Sequence, residues 1–340
     1  MRPNRNSPTA PALTFALLAT LSGCGGDGAG NRAGNETPGS NGGPAETVIV
    51  DGSSTVFRIS KAAQEAYSDV KPDVTVVVDN HGTGGGFSKY LQNEVDVVDA
   101  SRDAKPDEAS KAKAQGIEWT RFLVGYDGIT VVVNPKNTIV KSVTVEQLKR
   151  IWSPDSKVKT WKDVDPSWPD RKIVLYCPDH DSGTFEFFTE AVVGKARSQR
   201  EDVQASSDDN ILVNGVSGDP DGLGYFGYAY FAANATKLRA LPVQKDTDSK
   251  PILPSPATVL DKSYTPLSRP LYIFVKNASA RRPGVGGFVK FYLDNAARFA
   301  EKAGYVAPHA DDLVANAKAL AGVTSAPPEA SAKAAAAPAK

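Results

Sequence analysis

The sequence has no surplus of charge of either sign: 39 Lys+Arg stand against 39 Asp+Glu in 340 residues. A nucleic-acid binder carries a basic excess, so that class is excluded. No apolar run approaches the roughly 18 residues that a membrane-spanning helix needs. Histidine is scarce, and His81, His180 and His309 are scattered without metal-ligand spacing, so neither a metal nor another cofactor is expected. Enzyme signatures are missing as well. The run Gly82-Thr83-Gly84-Gly85-Gly86 is not a dinucleotide fingerprint, because Phe87 stands where the third glycine belongs, and it is not a P-loop, because Lys89 follows Ser88 and precedes Tyr90. His81-Gly82-Thr83-Gly84 is similar to a lipase oxyanion loop, but no G-x-S-x-G elbow accompanies it. A soluble globular protein remains. Its folded part of about 280 residues is near the size at which one core stops growing and a chain divides into lobes.

The first 23 residues read as a secretory signal: Arg2 and Arg5 are the positive start, and Ala10 to Leu21 form a short apolar stretch. Leu21-Ser22-Gly23-Cys24 closes it and resembles a bacterial lipobox, which implies lipidation of Cys24 and anchoring without a membrane span. Residues 24–46 are Gly, Asn, Pro, Ser and Thr with little to bury, and read as a flexible tether reaching about 25 Å. Residues 324–340 are an Ala/Pro/Lys tail expected to be disordered. With Cys24 lipidated, Cys177 has no partner for an intramolecular disulfide, and its place at the end of the apolar run Lys172–Cys177 predicts a buried, inert thiol. Cleavage leaves 37 cationic side chains against 39 anionic, a net charge of −2, so any selectivity for anions must be built locally.

The folded part alternates β-branched runs with helical periodicity, the pattern of an α/β fold. Thr47-Val48-Ile49-Val50 leads through Asp51-Gly52-Ser53-Ser54-Thr55 to Ile59, Ala62, Ala63, Ala66 and Tyr67 at helical spacing. Val74–Val78 leads through Gly82–Gly86 to Phe87, Tyr90 and Leu91. The run ending at Cys177 leads through Pro178–Thr184 to Phe185, Phe188, Ala191 and Val192. In each unit Ser, Thr or Gly stands at a helix start, where free N–H groups and the positive end of the dipole suit an anion. Any one such turn is explained by N-capping alone. Three of them at the carboxyl ends of candidate strands, where α/β folds bind ligands, point to an anion site. Trp152, Trp161 and Trp168, near Val145, Leu148 and Ile151 at helical spacing, read as core rather than as a ligand cage.

Five segments in order carry a resemblance: Asp51–Phe57, Gly82–Phe87, Ala100-Ser101-Arg102, Asp181–Phe185 and Gly222–Tyr230, with Ser268–Val275 as a return strand. Together, over about residues 46–300, they resemble PstS-type phosphate-binding proteins of ABC transporters. The resemblance implies a type II periplasmic-binding-protein fold, in which two α/β lobes joined by two crossing segments close on one phosphate. The crossings would lie near Asp127-Gly128-Ile129 and Ser268–Leu271, dividing the chain into a discontinuous lobe one (47–126 with 268–323) and lobe two (127–267). The implied phosphate ligands are Ser54, Thr55, Gly84, Gly85, Gly86, Ser182, Gly183 and Thr184. The best-known members carry an aspartate after Ala-Ser and an arginine shortly before Ser-Gly-Thr; here Arg102 takes the first place and no arginine lies between Arg171 and Ser182. That resembles the Ser-Arg branch of the family and implies Arg102 as the bidentate ligand.

A buried doubly charged oxyanion costs tens of kcal/mol if unpaired, so about ten charge-assisted hydrogen bonds of about 1.5–3 kcal/mol each are needed. Telling phosphate from sulfate further requires a buried carboxylate that accepts the ligand proton, and the candidates are Asp127 and Asp181. The expected protein is a monomeric, lipid-anchored, extracytoplasmic receptor without catalysis that delivers phosphate to ABC permease subunits. A receptor for sulfate or another tetrahedral oxyanion, and a serine hydrolase using Ser182 with His180, are the competing readings.

Overall fold

The computed structural model describes residues 46–325. Cys24, the signal segment and nearly all of the expected tether and tail lie outside the described residues.

Eleven strands are formed among the described residues: β1 (Glu46–Gly52), β2 (Val74–Val78), β3 (Val97–Ala100), β4 (Trp119–Val133), β5 (Val143–Thr144), β6 (Val174–Pro178), β7 (Gln204–Ser206), β8 (Gly222–Gly227), β9 (Arg239–Ala240), β10 (Val243–Gln244) and β11 (Ser268–Lys276). The helices that matter for the site are α1 (Ser54–Val70), α2 (Gly82–Leu91), α3 (Pro106–Ala114), α4 (Val145–Trp152), α5 (Trp161–Val164), α6 (Gly183–Phe188) and α7 (Asp209–Gly218). The main sheet runs β2-β1-β3-β11-β4-β8-β6-β7, with β9 also on β4. At one end β2, β1 and β3 are parallel, and at the other β8, β6 and β7 are parallel. Between them β11 and β4 run antiparallel to their neighbours and to each other.

Two large cores flank this central pair. One gathers Val48, Val50, Val56, Ile59, Val97, Val124, Leu271 and Ile273 with the helix Pro283–Asp294; the other gathers Tyr126, Ile129, Leu148, Trp152, Trp161, Phe185, Tyr225 and Leu267. Along β4 the change falls between Val124 and Tyr126, and along the second crossing between Leu267 and Leu271. Smaller clusters, Phe87–Tyr90–Phe274 and Val132–Leu212–Phe226, cover the opposite faces. The inner strand β3 is buried along its whole length, whereas the edge strand β2 alternates buried Val76 and Val78 with exposed Thr75 and Val77.

The expected helical faces form. Ile59, Ala62, Ala63 and Tyr67 of α1 are buried, as are Phe87 and Tyr90 of α2. Trp152 and Trp161 are core residues, with Trp168 packed against them. Cys177 is buried and its thiol pushed up to about 11 by desolvation, an inert state at neutral pH. Three boundaries differ from expectation. Glu46 is the first residue of β1 rather than the last of a tether: its carboxylate receives Arg282 Nε at 3.0 Å and the Gly284 amide at 2.6 Å. The final helix, Ala310–Ser325, runs through Thr324, whose hydroxyl donates to the Leu320 carbonyl. The third unit's helix ends at Phe188 and passes into a wider turn, Thr189–Val193, that carries Val192 into the core.

Candidate functional site

Each of the three predicted turns is followed by a helix, but the starts differ in chemistry. Ser53 caps α1: its Oγ accepts from the amides of Thr55 (3.2 Å) and Val56 (3.5 Å), which makes Ser54 and Thr55 the first helical residues. Ser182 caps α6 in the same way, accepting from Thr184 (3.2 Å) and Phe185 (3.4 Å). A hydroxyl that accepts from amides keeps its own proton to donate elsewhere. The start of α2 has no side-chain cap, and Arg102 Nη2 comes within 3.8 Å of the position a Gly84 Cβ would take. Gly86 has a packing reason as well: a Cβ there would lie 2.7 Å from the Asp51 carbonyl and from Gly52 Cα, so only glycine lets α2 seat against the end of β1.

The starts of α1 and α6 face each other. A Cβ on Gly183 would lie 2.4 Å from Thr55 Oγ1 and 3.1 Å from Ser54 Oγ, so these residues are brought into direct contact across the two halves. Arg269 of β11 lies beside them. Its Nη2 donates to Thr55 Oγ1 at 2.9 Å and to the Gly183 carbonyl at 3.3 Å, and its guanidinium stands 3.8 Å above the Phe187 ring. Opposite it in register on β4 is Asp127, whose Oδ2 receives both Nε and Nη2 at 3.3 Å. Asp127 is fully buried, and its other oxygen, Oδ1, has no hydrogen-bond partner. Burial holds this carboxyl above the usual range, with Arg269 and then Arg58 pulling it back.

The remaining candidates sit further out or have other partners. Arg102 is bonded bidentately to Glu108 of α3, Nη1 to Oε2 and Nη2 to Oε1 at 2.9 Å each, and also donates to the Asp103 carbonyl. Glu108 simultaneously takes the Lys105 amide at 2.7 Å, and burial is outweighed by these donors, so its carboxyl is held low. Asp181 is exposed, with its amide on Asp179 Oδ1. That position lacks the burial on which proton-based selectivity depends, and of the two candidate acceptors only Asp127 has it. His180 packs edge-on against Phe185 at 4.7 Å, and the Ser182 hydroxyl serves as a cap; no hydrogen bond joins the two among the described residues. A Ser–His couple is therefore not assembled.

Two acids behind the turns escaped the sequence reading. Asp51 is buried and receives Lys89 Nζ at 2.6 Å, His81 Nδ1 at 2.8 Å and the His81 amide at 2.9 Å; burial pushes its carboxyl up, but these bonds outweigh it. This ties the glycine turn to the end of β1. Asp99, fully buried on β3, accepts from Ser60 at 2.7 Å through Oδ1, leaves Oδ2 unpartnered, and is pushed up to about 8 by desolvation. Among the described residues no group of three or more His, Cys, Asp or Glu could hold a metal, and no helix is long and apolar enough to cross a membrane.

Comparison with known proteins places this geometry. The PBP superfamily domain model matches residues 37–296. Protein SphX of a Synechocystis strain is 43% identical over 265 residues, 77% of this chain and 78% of that one. The phosphate-binding protein PstS of Staphylococcus saprophyticus is 41% identical over 258 residues, 76% of this chain and 79% of that one. A solved structure described as a possible phosphate binding protein from Planctomyces limnophilus agrees with a TM-score of 0.79 at 44% identity, over 83% of this chain and 99% of that one. Matches of that identity along most of the chain, on a sheet whose antiparallel central pair separates two parallel halves, make this protein a member of the two-lobed PBP superfamily and of the PstS phosphate-binding family within it.

Proposed function

We propose that this chain is a lipid-anchored, extracytoplasmic receptor, monomeric and without catalysis, that closes two lobes on inorganic phosphate and hands it to an ABC permease. Lobe one is 47–126 with 268–323 and lobe two is 127–267. The division follows the change of core along β4 and before β11. The observation that carries the reading is the fully buried Asp127 with one oxygen unpartnered, beside Thr55 and Gly183 where α1 and α6 meet. Hydrogen phosphate needs many donors and one acceptor. Ser54, Thr55, Ser182, Gly183 and Thr184 offer hydroxyls and amides, the α2 start at Gly84–Gly86 with Arg102 offers more, and Asp127 Oδ1 is the acceptor. Sulfate has no proton for that oxygen and meets like charge instead, a difference worth several kcal/mol in a dry site.

The test is calorimetric titration of the purified chain with phosphate and sulfate from pH 5 to 9, for wild type and for Asp127→Asn. Wild type should bind phosphate and exclude sulfate, and the amide should relax the exclusion. Equal binding of both ions by wild type would replace phosphate by a broader oxyanion class, and unchanged selectivity in Asp127→Asn would remove Asp127 from the acceptor role.

A further inference from the structure

Arg269 touches both crossing strands and both facing helix starts: β11 carries it, Asp127 on β4 pairs with it, and its Nη2 reaches Thr55 of α1 and the carbonyl of Gly183 in α6. The hydrogen bonds have a directional consequence. A guanidinium only donates, so Thr55 Oγ1 must accept from it, and among the described residues no oxygen takes the Thr55 proton in return. Thr55, buried at the start of α1, is thereby turned into a donor aimed away from Arg269. On Asp127 the effect is opposite in sign. Both Nε and Nη2 converge on Oδ2, which keeps a negative charge tolerable in a fully buried place and leaves Oδ1 unpartnered.

We propose that Arg269 is a positioning residue that sets the polarity of the site, fixing the Thr55 hydroxyl as a donor and the free Asp127 oxygen as an acceptor, and so selects an oxyanion that carries one proton. This rests on the phosphate reading above and deepens it. Its stacking on Phe187 holds the planar group in one orientation, which a lysine ammonium cannot reproduce. The other groups that bear on Asp127 are few. Arg58 of α1 attracts it, Tyr305, after the helix Ala296–Lys302, lies close enough to feel its charge, and Asp209 at the start of α7 acts on Arg58 and Tyr305. Without Arg269 the carboxyl keeps the burial and retains only Arg58 as a cationic neighbour, so it takes up a proton at higher pH. It then stops repelling sulfate.

The experiment compares phosphate and sulfate binding to wild type, Arg269→Gln, Arg269→Lys and Thr55→Val between pH 5 and 9, with far-UV circular dichroism confirming folded protein. Arg269→Gln should lower phosphate affinity about 100-fold and the phosphate-over-sulfate ratio at least about tenfold, with the pH at which sulfate becomes excluded moved upward. Arg269→Lys should restore the pH at which exclusion sets in, because the cation is back, while recovering only part of the affinity. Combining Arg269→Gln with Thr55→Val should cost less than the sum of the two, since the first already disorders the hydroxyl. A loss of phosphate and sulfate affinity in equal proportion, with an unmoved pH profile, would show a merely structural arginine and overturn the proposal. Failure of wild type to bind phosphate at all would overturn the phosphate reading first, and this one with it.

Discussion

Gly183→Ala isolates lobe closure from folding. The added methyl would lie 2.4 Å from Thr55 Oγ1, 3.0 Å from the Thr55 amide nitrogen and 3.1 Å from Ser54 Oγ, so it meets backbone as well as side chains and no rotamer removes it. Carbon contacts relax at about 3.5 Å, and the starts of α1 and α6 must part by about 1 Å to reach that. Such a shift takes the Arg269 contact to the Gly183 carbonyl, now 3.3 Å, out of hydrogen-bonding range, and it stretches a ligand held by both helix starts. Losing two charge-assisted hydrogen bonds of about 1.5–3 kcal/mol each weakens binding by about 3–6 kcal/mol, roughly 10²- to 10⁴-fold. The fold itself should be spared, because the contact lies between the two helix starts rather than inside either core, and alanine is welcome in a first helical turn. Calorimetry with phosphate should show the loss, while the ligand-free melting temperature stays within about 2 °C of wild type. Phosphate affinity within about threefold of wild type would refute the reasoning, since the helix starts would then not need to touch in the bound state.

Arg102→Ala should weaken phosphate binding by about 2–4 kcal/mol and leave Glu108 without its bidentate partner, and Arg102→Lys should recover only part of that, as read by the same titration. Asp99→Asn should stabilise the protein increasingly between about pH 4 and 8. The folded carboxyl, pushed up to about 8, stays protonated where the unfolded one ionises, so wild-type stability is fully present below the unfolded value and is lost as pH rises through the folded one. Thermal unfolding at pH 5 and pH 8 checks it, and a gain that does not grow with pH would be contrary. Cys24→Ala should abolish lipid modification and release the protein from membranes, followed by labelled-fatty-acid incorporation and fractionation; equal free protein from both forms would remove the anchor.

What could be read from the sequence was local. Ile59, Ala62, Ala63 and Tyr67 announce α1 by spacing alone, and Trp152 and Trp161 announce a core by their apolar neighbours. The turns were legible, but not which residue caps α1, since three consecutive residues, Ser53, Ser54 and Thr55, could all cap and only the backbone geometry chooses Ser53. Arg269 was missed for a different reason. It sits in an apolar return strand, and the register that sets it against Asp127, 142 residues away, leaves no trace in spacing. Glu108 could have been found: Pro106 at a first helical position marks the start of α3, and Glu108, two residues on, stands six residues after Arg102. Of the two proposed acceptors, burial alone separates Asp127 from Asp181, and burial is a tertiary property.

The long strand β4 runs unbroken from one core into the other, hydrogen-bonded to β11 from Gly128 opposite Ser268 to Trp119 opposite Lys276. Bonded strands carry a right-handed twist, largest in two-stranded ribbons. The one register slip of this pair, at Leu271/Tyr272, lies two residues beyond Arg269, where a bulge concentrates twist. The lobe closure proposed above would therefore be taken up as twist of both crossings together, close to the place where Arg269 meets Asp127. Substitutions that alter this bulge would then change the angle between the two cores without touching a single ligand contact.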